Sequence, residues 1–495
     1  MYNFIYWISL SLRDIFLEIM IPRTVFLLSL ALSNYILGAQ PSHNAISRIQ
    51  THLDSLETTD HLSGVVLIAR NGKVLFQKAY GYANLADSVR NTLNTRFNLA
   101  SMNKMFTGLA IMQLVQEGRL SLLKKIGSYL PDYPNSSVKD SVTIEQLLTH
   151  TSGMGNFWEA HDTLAKEKFK SIQDYVPLFA NQPLLFTPGA KFSYSNAGFM
   201  VLGLIIEKIS GQNYFDYVRN NIYSPAGMHD TDAYCLDEVV PRIATGYTMS
   251  VETPGRWKNN TWSNVVKGTP AGGGYATAKD LLNFTQALQQ HRLLNAINTA
   301  AYTAGRIKYY KGLYGYGFSE ETLNGHKLMG HTGGHYGIAN ELMIIPDLNY
   351  VVIILTNGEV ENYWETANYI KRQLVGPTPA LDNYFFTRKA CNVVAAQGFD
   401  EGMAFIKKSS HSIRESVIER IAYKFLFEQN TPAALNLFKL NLALFPQSSV
   451  GYYNLGEAYA ATGNIRLAVE QYEKYLALEP GDNAVKCKVA KIRQR

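Results

Sequence analysis

Short apolar runs bounded by turn residues occur near the start of this sequence, and they predict paired strands. Residues 65–68 and 74–76 are entirely apolar and flank Asn71-Gly72. Asn-Gly between two apolar runs is the strongest short signal for a β-hairpin. The sequence therefore predicts a hairpin over 64–80. The same pattern, with turns at Asn324-Gly325 and around Pro346, predicts strands further along the chain, at 327–330, 338–345 and 350–355.

The long segment between these two β-rich ends has mostly helical patterning. Apolar residues at mixed three- and four-residue steps follow Ser101, and they predict a helix there. Another helix is predicted at 277–290, where Thr277 and Asp280 have the spacing of a capping box. Terminal strands with a helical block between them predict one α+β domain over residues 45–375.

Beyond Gly376-Pro377-Thr378-Pro379 the composition changes, and we predict a linker at 376–390 followed by an all-α region at 391–495. A 34-residue internal repeat lies in that region, after a degenerate helical lead-in at 392–410. Its length and pattern resemble the tetratricopeptide repeat. Two interpretations remain open: a helical cap packed on the first domain, or a groove that binds a protein or peptide partner. The repeat pairs are Ile418/Tyr452, Ile421/Leu455, Ala422/Gly456, Phe425/Tyr459, Asn430/Asn464, Ala434/Ala468, Phe438/Tyr472, Leu442/Leu476 and Pro446/Pro480.

The N-terminus has the pattern of a secretory signal peptide over residues 1–39. Arg23 precedes an apolar run at 24–37, and Gly38-Ala39 offers a small-residue cleavage site. A chain that began at Met20 would have a signal peptide of normal form. In one interpretation, Met20 is therefore the true first residue of the protein. An uncleaved anchor is the alternative, although the run is shorter than the roughly 20 residues of a span. We expect a periplasmic or secreted protein without a stable membrane span after processing.

Composition excludes several classes of function. A chain of 495 residues with 46% apolar content is long enough for more than one domain and for a sizeable core. A net charge of +6 without a basic block gives no indication of nucleic-acid binding. The three cysteines, Cys235, Cys391 and Cys487, are far apart and suit neither a disulfide framework nor a metal site. We expect no cofactor and no catalytic metal.

Candidate chemistry lies in three short motifs that occur in order. A Ser-x-x-Lys pair places an amine one helical turn from a hydroxyl, because residues i and i+3 share a helix face. Serine is a weak nucleophile that needs a base, and lysine serves as one when its pKa is depressed. Two other Ser-x-x-Lys pairs, which start at Ser121 and Ser136, fall at a predicted helix end and in a predicted turn. The motifs are Ser101-Met102-Asn103-Lys104, Tyr194-Ser195-Asn196 and His331-Thr332-Gly333-Gly334.

These motifs and their surroundings resemble the serine β-lactamase-related family over roughly residues 60–360. This family includes class C β-lactamases, D-alanyl-D-alanine carboxypeptidases, D-aminopeptidases and esterases. The resemblance implies an antiparallel sheet flanked by helices, a mainly helical second lobe, and an active site in the cleft between them. Supporting stretches are 143–154, Thr187-Pro188-Gly189, 271–274 and 314–318.

The resemblance also implies a role for each motif residue. Ser101 would attack a carbonyl carbon and form an acyl-enzyme that water hydrolyses. Lys104 and Tyr194 would shuttle the proton, and which of them is the formal base stays open. Asn196 would orient Lys104 or a substrate amide. The strand with His331, Thr332, Gly333 and Gly334 would contact the substrate, and the N–H groups of Ser101 and Gly334 would form the oxyanion hole.

His331 departs from the lysine that many β-lactamases and carboxypeptidases have at this position. Histidine is mostly uncharged at neutral pH, which weakens recognition of a free carboxylate. We therefore expect a small-molecule or peptide substrate with an ester, amide or D-amino-acid peptide bond. The alternative is a catalytically weak, penicillin-binding-like scaffold whose helical repeats bind a partner.

Overall fold

The computed structural model describes residues 43–250, 253–310, 312–358 and 360–493. The predicted signal peptide, including Met20, lies outside these ranges. Within them, the strands are β1 Gly64–Arg70, β2 Lys73–Tyr80, β3 Tyr82–Asn84, β4 Val89–Arg90, β5 Phe97–Asn98, β6 Tyr247–Ser250, β7 Thr253–Asn259, β8 Tyr275–Ala276, β9 Ile307–Tyr309, β10 Gly312–Tyr314, β11 Ser319–Leu323, β12 His326–His335, β13 Ile338–Ile345 and β14 Tyr350–Thr356.

Eight of these strands form one antiparallel sheet in the order β2-β1-β14-β13-β12-β11-β10-β9. The predicted hairpin is confirmed as β1 and β2. Asn71 and Gly72 join them with φ of 50° and 75°, as a type I′ turn requires. The three later predicted strands are confirmed as β12, β13 and β14, although β12 continues five residues past its predicted end. The sheet therefore joins the two β-rich ends of the sequence side by side.

Helices cover both faces of the sheet, so β13 and β14 are buried along their whole length. A strand that is buried on both faces has a continuous apolar run instead of alternation. The helices of residues 43–375 are α1 His43–Thr59, α2 Asn103–Gln116, α3 Ser136–Ser141, α4 Ile144–Leu148, α5 Trp158–Asp162, α6 Ile172–Phe179, α7 Asn196–Ser210, α8 Tyr214–Val218, α9 Ser224–Ala226, α10 Ala278–Gln289, α11 Ala296–Thr303 and α12 Val360–Val375.

Two apolar cores lie on opposite sides of the sheet. α1 and α12 pack on one face, where Ile49 and Ile370 belong to the same apolar core as the inward side chains of β14. α2 and α10 pack on the other face and continue into the helical lobe. The α+β architecture predicted from the sequence is confirmed. We call residues 43–375 the sheet domain.

The C-terminal region is all helical, as predicted, but the connection to it is shorter than the predicted linker at 376–390. Thr378 caps a helix by accepting the Leu381 N–H, and Pro379 occupies its first position. Thr-Pro is a helix-start signal, so the chain becomes helical at Pro379 and the lead-in belongs to that helix. These C-terminal helices are α13 Pro379–Gln397, α14 Phe399–Lys407, α15 Glu415–Phe427, α16 Thr431–Leu444, α17 Ser449–Ala461, α18 Ile465–Leu478 and α19 Asn483–Arg493.

The internal repeat corresponds to two helix pairs. α15 and α16 are followed by α17 and α18 at the same 34-residue offset. Gly456 lies where the pair packs most closely, because a Cβ there would meet the Tyr472 ring at 2.8 Å. The match to the tetratricopeptide family itself stays a prediction.

One local prediction is wrong. Ser136 was expected in a turn, but it begins α3, which Asn135 caps by accepting the Val138 N–H at 3.2 Å. Asparagine is favoured both in turns and at helix N-caps, so the local sequence pattern did not distinguish the two structures. In the part of the chain that is described, no helix has the length and apolar character needed to cross a membrane.

Candidate active site

Ser101 and Lys104 lie at the start of the central helix of the lobe. Ser101 is in a 3-10 turn, Ala100–Met102, that leads directly into α2. One helical turn separates the two residues, and Lys104 Nζ is 3.3 Å from Ser101 Oγ. The same nitrogen donates to Asn196 Oδ1 at 2.8 Å and to the Ala271 carbonyl at 2.5 Å. The amine is therefore surrounded by a hydroxyl and two carbonyl oxygens.

Lys104 is completely buried. Burial lowers the pKa of its ammonium group well below the usual value, and no carboxylate within the described residues offsets that effect. The rings of Tyr194 and Phe199 lie 4.7 and 5.4 Å from Nζ. Burial without an anionic partner favours the neutral form of an amine over the ammonium form. The surroundings of Lys104 therefore make it easier to deprotonate beside the Ser101 hydroxyl.

Tyr194 and Asn196 reach the same point from the start of α7. Ser195 caps this helix by accepting the Gly198 N–H at 3.0 Å, and it donates to the Gly155 carbonyl at 2.8 Å. The Tyr194 hydroxyl is hydrogen bonded to Ser101, and burial raises the pKa of the phenol. The structure therefore brings together Ser101, Lys104, Tyr194 and Asn196, as the motifs predict.

The glycine run at 271–274 allows the backbone to approach the serine closely. A Cβ on Gly272 would lie 2.9 Å from the Ala100 carbonyl oxygen, and one on Gly274 would lie 2.6 Å from Asn103 Nδ2. Ala100 itself has φ of 44°, which is unusual for a residue other than glycine. Its N–H donates to Asn98 Oδ1 at 2.9 Å. The backbone before Ser101 is held in a strained conformation by its neighbours.

β12 forms the opposite wall of the site. A Cβ on Gly333 would lie 2.1 Å from the Leu99 carbonyl oxygen, so only glycine fits beneath the turn that holds Ser101. Thr332 is exposed, and Gly334 lines the same cavity as Ser101. β11 pairs with β12 only as far as Gly330, so beyond that residue β12 has no strand partner on this side within the described ranges. This edge faces the serine.

His331 is not where the sequence interpretation placed it, because its ring is not in the cavity wall. The side chain is buried, the Tyr314 hydroxyl donates to Nε2 at 2.9 Å, and Nδ1 donates to the Thr332 carbonyl at 2.5 Å. Burial, with the nearby Lys104, lowers the pKa of the imidazole to about 3. His331 is therefore a neutral ring that holds β12 against Tyr314.

A cavity of about 230 Å³ opens over Ser101. No side chain of Lys, Arg, Asp or Glu is among its walls in the described part of the chain, so its interior is polar but uncharged. His335 does line it, and its Nε2 donates to the Ser263 carbonyl at 2.7 Å. The walls are formed by Asn98, Ala100, Ser101, Trp158, Tyr194, Asn196, Asn264, Val265, Thr269, Ala271, Gly272, Gly273, Gly334 and His335.

Sequence reasoning did not find Asn156, Trp158 or His335. His335 lies four residues after His331 on one strand, so period-two alternation places both on the same face. Asn156 and Trp158 directly follow the stretch 143–154 that supports the family resemblance. The sequence position of each residue could therefore have marked it as a candidate for the site. Only the contacts in the folded protein distinguish these three residues from ordinary loop residues.

The antiparallel sheet, the helical lobe and the Ser-Lys pair at their junction are those of the penicillin-binding class of serine hydrolases. The chain belongs to the Beta-lactamase family, which matches residues 49–375.

The chain is similar to proteins of this class along most of its length. It is 26% identical to penicillin-binding protein 4* of Bacillus subtilis over 441 residues, which cover 83% of this chain and 92% of that protein. The crystal structure of a penicillin-binding protein from Bacillus halodurans superposes with a TM-score of 0.59 at 32% identity, covering 65% of this chain and 98% of that one. D-amino acid amidase from Ochrobactrum anthropi SV3 shares the fold, with a TM-score of 0.57, 22% identity, and coverage of 67% and 98%.

Proposed function

We propose that this chain is an exported serine hydrolase that cleaves an ester, an amide or a D-amino-acid peptide bond through an acyl-enzyme on Ser101. The observation that carries the proposal is the environment of Lys104. Its amine is buried, lies 3.3 Å from the Ser101 hydroxyl, and has no anionic partner in the part of the chain that the structure describes. Such an amine is a base poised to remove a proton at neutral pH.

The contacts of Lys104 favour it over Tyr194 as the formal base. A neutral amine has two N–H bonds and one lone pair. Lys104 Nζ contacts Asn196 Oδ1, the Ala271 carbonyl and Ser101 Oγ. In the proposed neutral form its two N–H bonds serve the two carbonyl oxygens, which accept only, and its lone pair is left for the Ser101 hydroxyl. Tyr194 is a poor base at neutral pH because burial raises the pKa of its phenol further. As a protonated phenol it is suited to pass a proton to the leaving group.

The proposed reaction proceeds in two stages. Ser101 Oγ bonds to the carbonyl carbon while its proton moves to Lys104, and the N–H groups of Ser101 and Gly334 stabilise the oxyanion. The bond to the leaving group then breaks, and that group leaves with a proton delivered through Tyr194. Water next attacks the ester carbonyl, gives its proton to the same base, and releases the acid and Ser101.

The uncharged cavity supports a substrate that is neutral around the scissile bond. A side chain cation would be needed to bind a carboxylate tightly, and the cavity walls lack one among the described residues. The structural relatives include a D-amino acid amidase and a D-stereospecific amidohydrolase, and these support an amide or D-amino-acid derivative as well as an ester. Export is supported by the signal-peptide pattern of the sequence. The proposed role of the C-terminal helices is a cap on the sheet domain, with partner binding as the alternative.

A labelled fluorophosphonate tests the function directly, because it reacts with an activated serine. Wild-type protein should be labelled at Ser101, and Ser101→Ala should lose both labelling and p-nitrophenyl ester hydrolysis. Ser121→Ala is the matched control, because Ser121 also precedes a lysine by three residues but lies in the loop that follows α2. Wild-type turnover in Ser101→Ala would refute the proposal.

A further inference from the structure

Asn156 makes three hydrogen bonds, and all of them go to the motif that contains Tyr194 and Asn196. Its Oδ1 accepts from the backbone N–H of Asn196 at 2.9 Å and from Asn196 Nδ2 at 2.9 Å. Its Nδ2 donates to the Tyr194 carbonyl at 3.3 Å. Asn156 itself is exposed at the rim of the lobe. Because the Asn156 side chain is exposed, its contribution is to hold the motif of Tyr194 and Asn196 in place and not to fill an apolar core.

The directions of the hydrogen bonds that link Asn156, Asn196 and Lys104 follow from one backbone group, the N–H of Asn196. The Asn196 N–H is only a donor, so the atom of Asn156 that faces it is the carbonyl oxygen Oδ1. That oxygen then accepts from the adjacent end of the Asn196 amide, which is therefore the NH₂ end. The other end of the Asn196 amide, its oxygen, is left facing Lys104 at 2.8 Å.

We propose that Asn156 is a positioning residue that aims the lone pair of Lys104 at Ser101 by fixing the orientation of the Asn196 amide. The inference rests on the proposed hydrolase function and adds a residue that acts through Asn196. With Asn196 Oδ1 accepting one N–H and Ala271 accepting the other, the amine has only its lone pair for the serine. With the amide reversed, Asn196 would offer an N–H to Lys104, and the lone pair would be drawn to that N–H and away from Ser101.

The surroundings of Lys104 leave this orientation to Asn156. The titratable groups that face the amine are Tyr194, His150 and His331, and burial keeps all three uncharged. Among the described residues, none of these side chains therefore carries a charge that would select one end of the Asn196 amide. The two ends of an asparagine amide have nearly the same shape, so hydrogen bonding alone decides which one points at Lys104.

Two substitutions at Asn156 should move the pH dependence in opposite directions. Asn156→Ala frees the Asn196 amide, and we expect fluorophosphonate labelling of Ser101 to slow about 10- to 100-fold at the pH optimum. The acid limb of its pH–rate profile, where protonation of Lys104 slows labelling, should move to lower pH. The reason is that a carbonyl that stabilises the ammonium form of Lys104 is lost. Asn156→Asp keeps the oxygen acceptor and adds a negative charge, so its plateau rate should stay within about a few fold and its acid limb should move to higher pH.

The experiment measures the labelling rate of full-length protein against pH, with the melting temperature of each variant. Asn135→Ala is the matched control, because it removes an asparagine that caps α3 and donates to the Gln182 carbonyl, and whose side chain has no hydrogen bond to Tyr194 or Asn196 among the described residues. It should lower the melting temperature without moving the acid limb. If wild type is labelled at Ser101 but Asn156→Ala keeps its rate and limb, this inference is wrong and the hydrolase function stands. If wild type is not labelled at Ser101, both are wrong.

Discussion

The catalytic cavity and the junction between the sheet domain and the C-terminal helices both bury charged residue types, but they differ in how the charge is compensated. At the junction, Glu361 on α12 is bonded to Arg388 and, at 2.7 Å, to Arg420. Arg388 also pairs with Glu365. Beside Ser101, the hydrogen-bond partners of the Lys104 amine among the described residues are neutral carbonyl and hydroxyl oxygens.

This difference separates a structural use of buried charge from a chemical one. Burial raises the pKa of the Glu365 carboxyl to about 7 even beside Arg388, so pairing offsets burial only in part there. At a buried ion pair each charge favours the ionised form of the other, and removing one partner strands the other. The pKa of the Arg388 guanidinium is accordingly raised by its carboxylate neighbours, which outweigh its burial. An unpaired buried amine instead gives up its proton and becomes a base. The junction thus fastens two parts of the chain together, whereas the site beside Ser101 holds an amine whose pKa is lowered by burial, as the proposed reaction requires.

The most drastic way to test the junction is to remove the C-terminal helices. A chain that ends at Gly376 loses Arg388, Arg420 and Lys424, and it exposes Trp364, which packs against both the sheet domain and those helices. We expect aggregation or loss of cooperative unfolding, measured by light scattering and thermal melts. A chain that ends at Pro480, which lacks only α19, should remain soluble. A soluble, monomeric, Ser101-labelled protein from the first truncation would show that the helices are a separate module.

The sharpest test of the cavity is Lys104→Met, which keeps the length of the side chain and removes the base. Labelling of Ser101 should slow by about 100- to 10,000-fold, the range that general base catalysis contributes. The melting temperature should change by no more than a few degrees. Removing a desolvated amine raises the free energy of unfolding, and this gain is offset because two buried carbonyls lose their hydrogen-bond donor. Wild-type labelling rates in this variant would exclude Lys104 as the base.

At the junction, Glu361→Gln should have the opposite effects to Lys104→Met. We expect a large loss of stability and little change in the labelling rate of Ser101 in the folded protein. It leaves Arg388 and Arg420 without their shared carboxylate, and breaking a buried pair in this way costs about 3–5 kcal/mol. Denaturant unfolding measures the effect. Glu470→Gln is the control, because Glu470 pairs with Lys474 on an exposed helix face and its replacement should leave the unfolding midpoint unchanged. Equal effects of the two substitutions would contradict this account of the junction.

The last effect concerns His331, a buried neutral group, and it is small at neutral pH because it appears only as the pH falls. Its pKa is lowered to about 3 in the folded protein, so below pH 6.5 the unfolded chain binds a proton that the folded one does not. Stability therefore falls as the pH drops from 6.5 towards 3, by about 1.4 kcal/mol per pH unit. His331→Gln, which can still bond to Tyr314, should make this slope shallower, as measured by unfolding at several pH values. Replacing the exposed His411 by Gln should not change the slope.

Local patterns predicted the elements of this protein well where the signal is contained in neighbouring residues. Asn71-Gly72 between apolar runs specified the hairpin, and the helical spacing after Ser101 placed Lys104 one turn away. The predictions that needed correction lie where one pattern suits two structures. Asn135-Ser136 fits a turn or a helix start, and Thr378-Pro379 fits a linker or a capped helix. The side chain direction of His331 depended on Tyr314, which lies 17 residues earlier in the chain.

The sequence by itself determined the class of fold, the order of the three motifs and the identity of the serine and lysine, because these follow from spacing along the chain. Only the tertiary structure decided that Lys104 is buried with no carboxylate beside it among the described residues. It also decided that the Ala271 carbonyl reaches Lys104 across 167 residues, and that Asn156 orients Asn196 across 40 residues. A pKa and the direction of a lone pair depend on every group around an atom. Those groups come from distant parts of the chain and meet only in the folded protein.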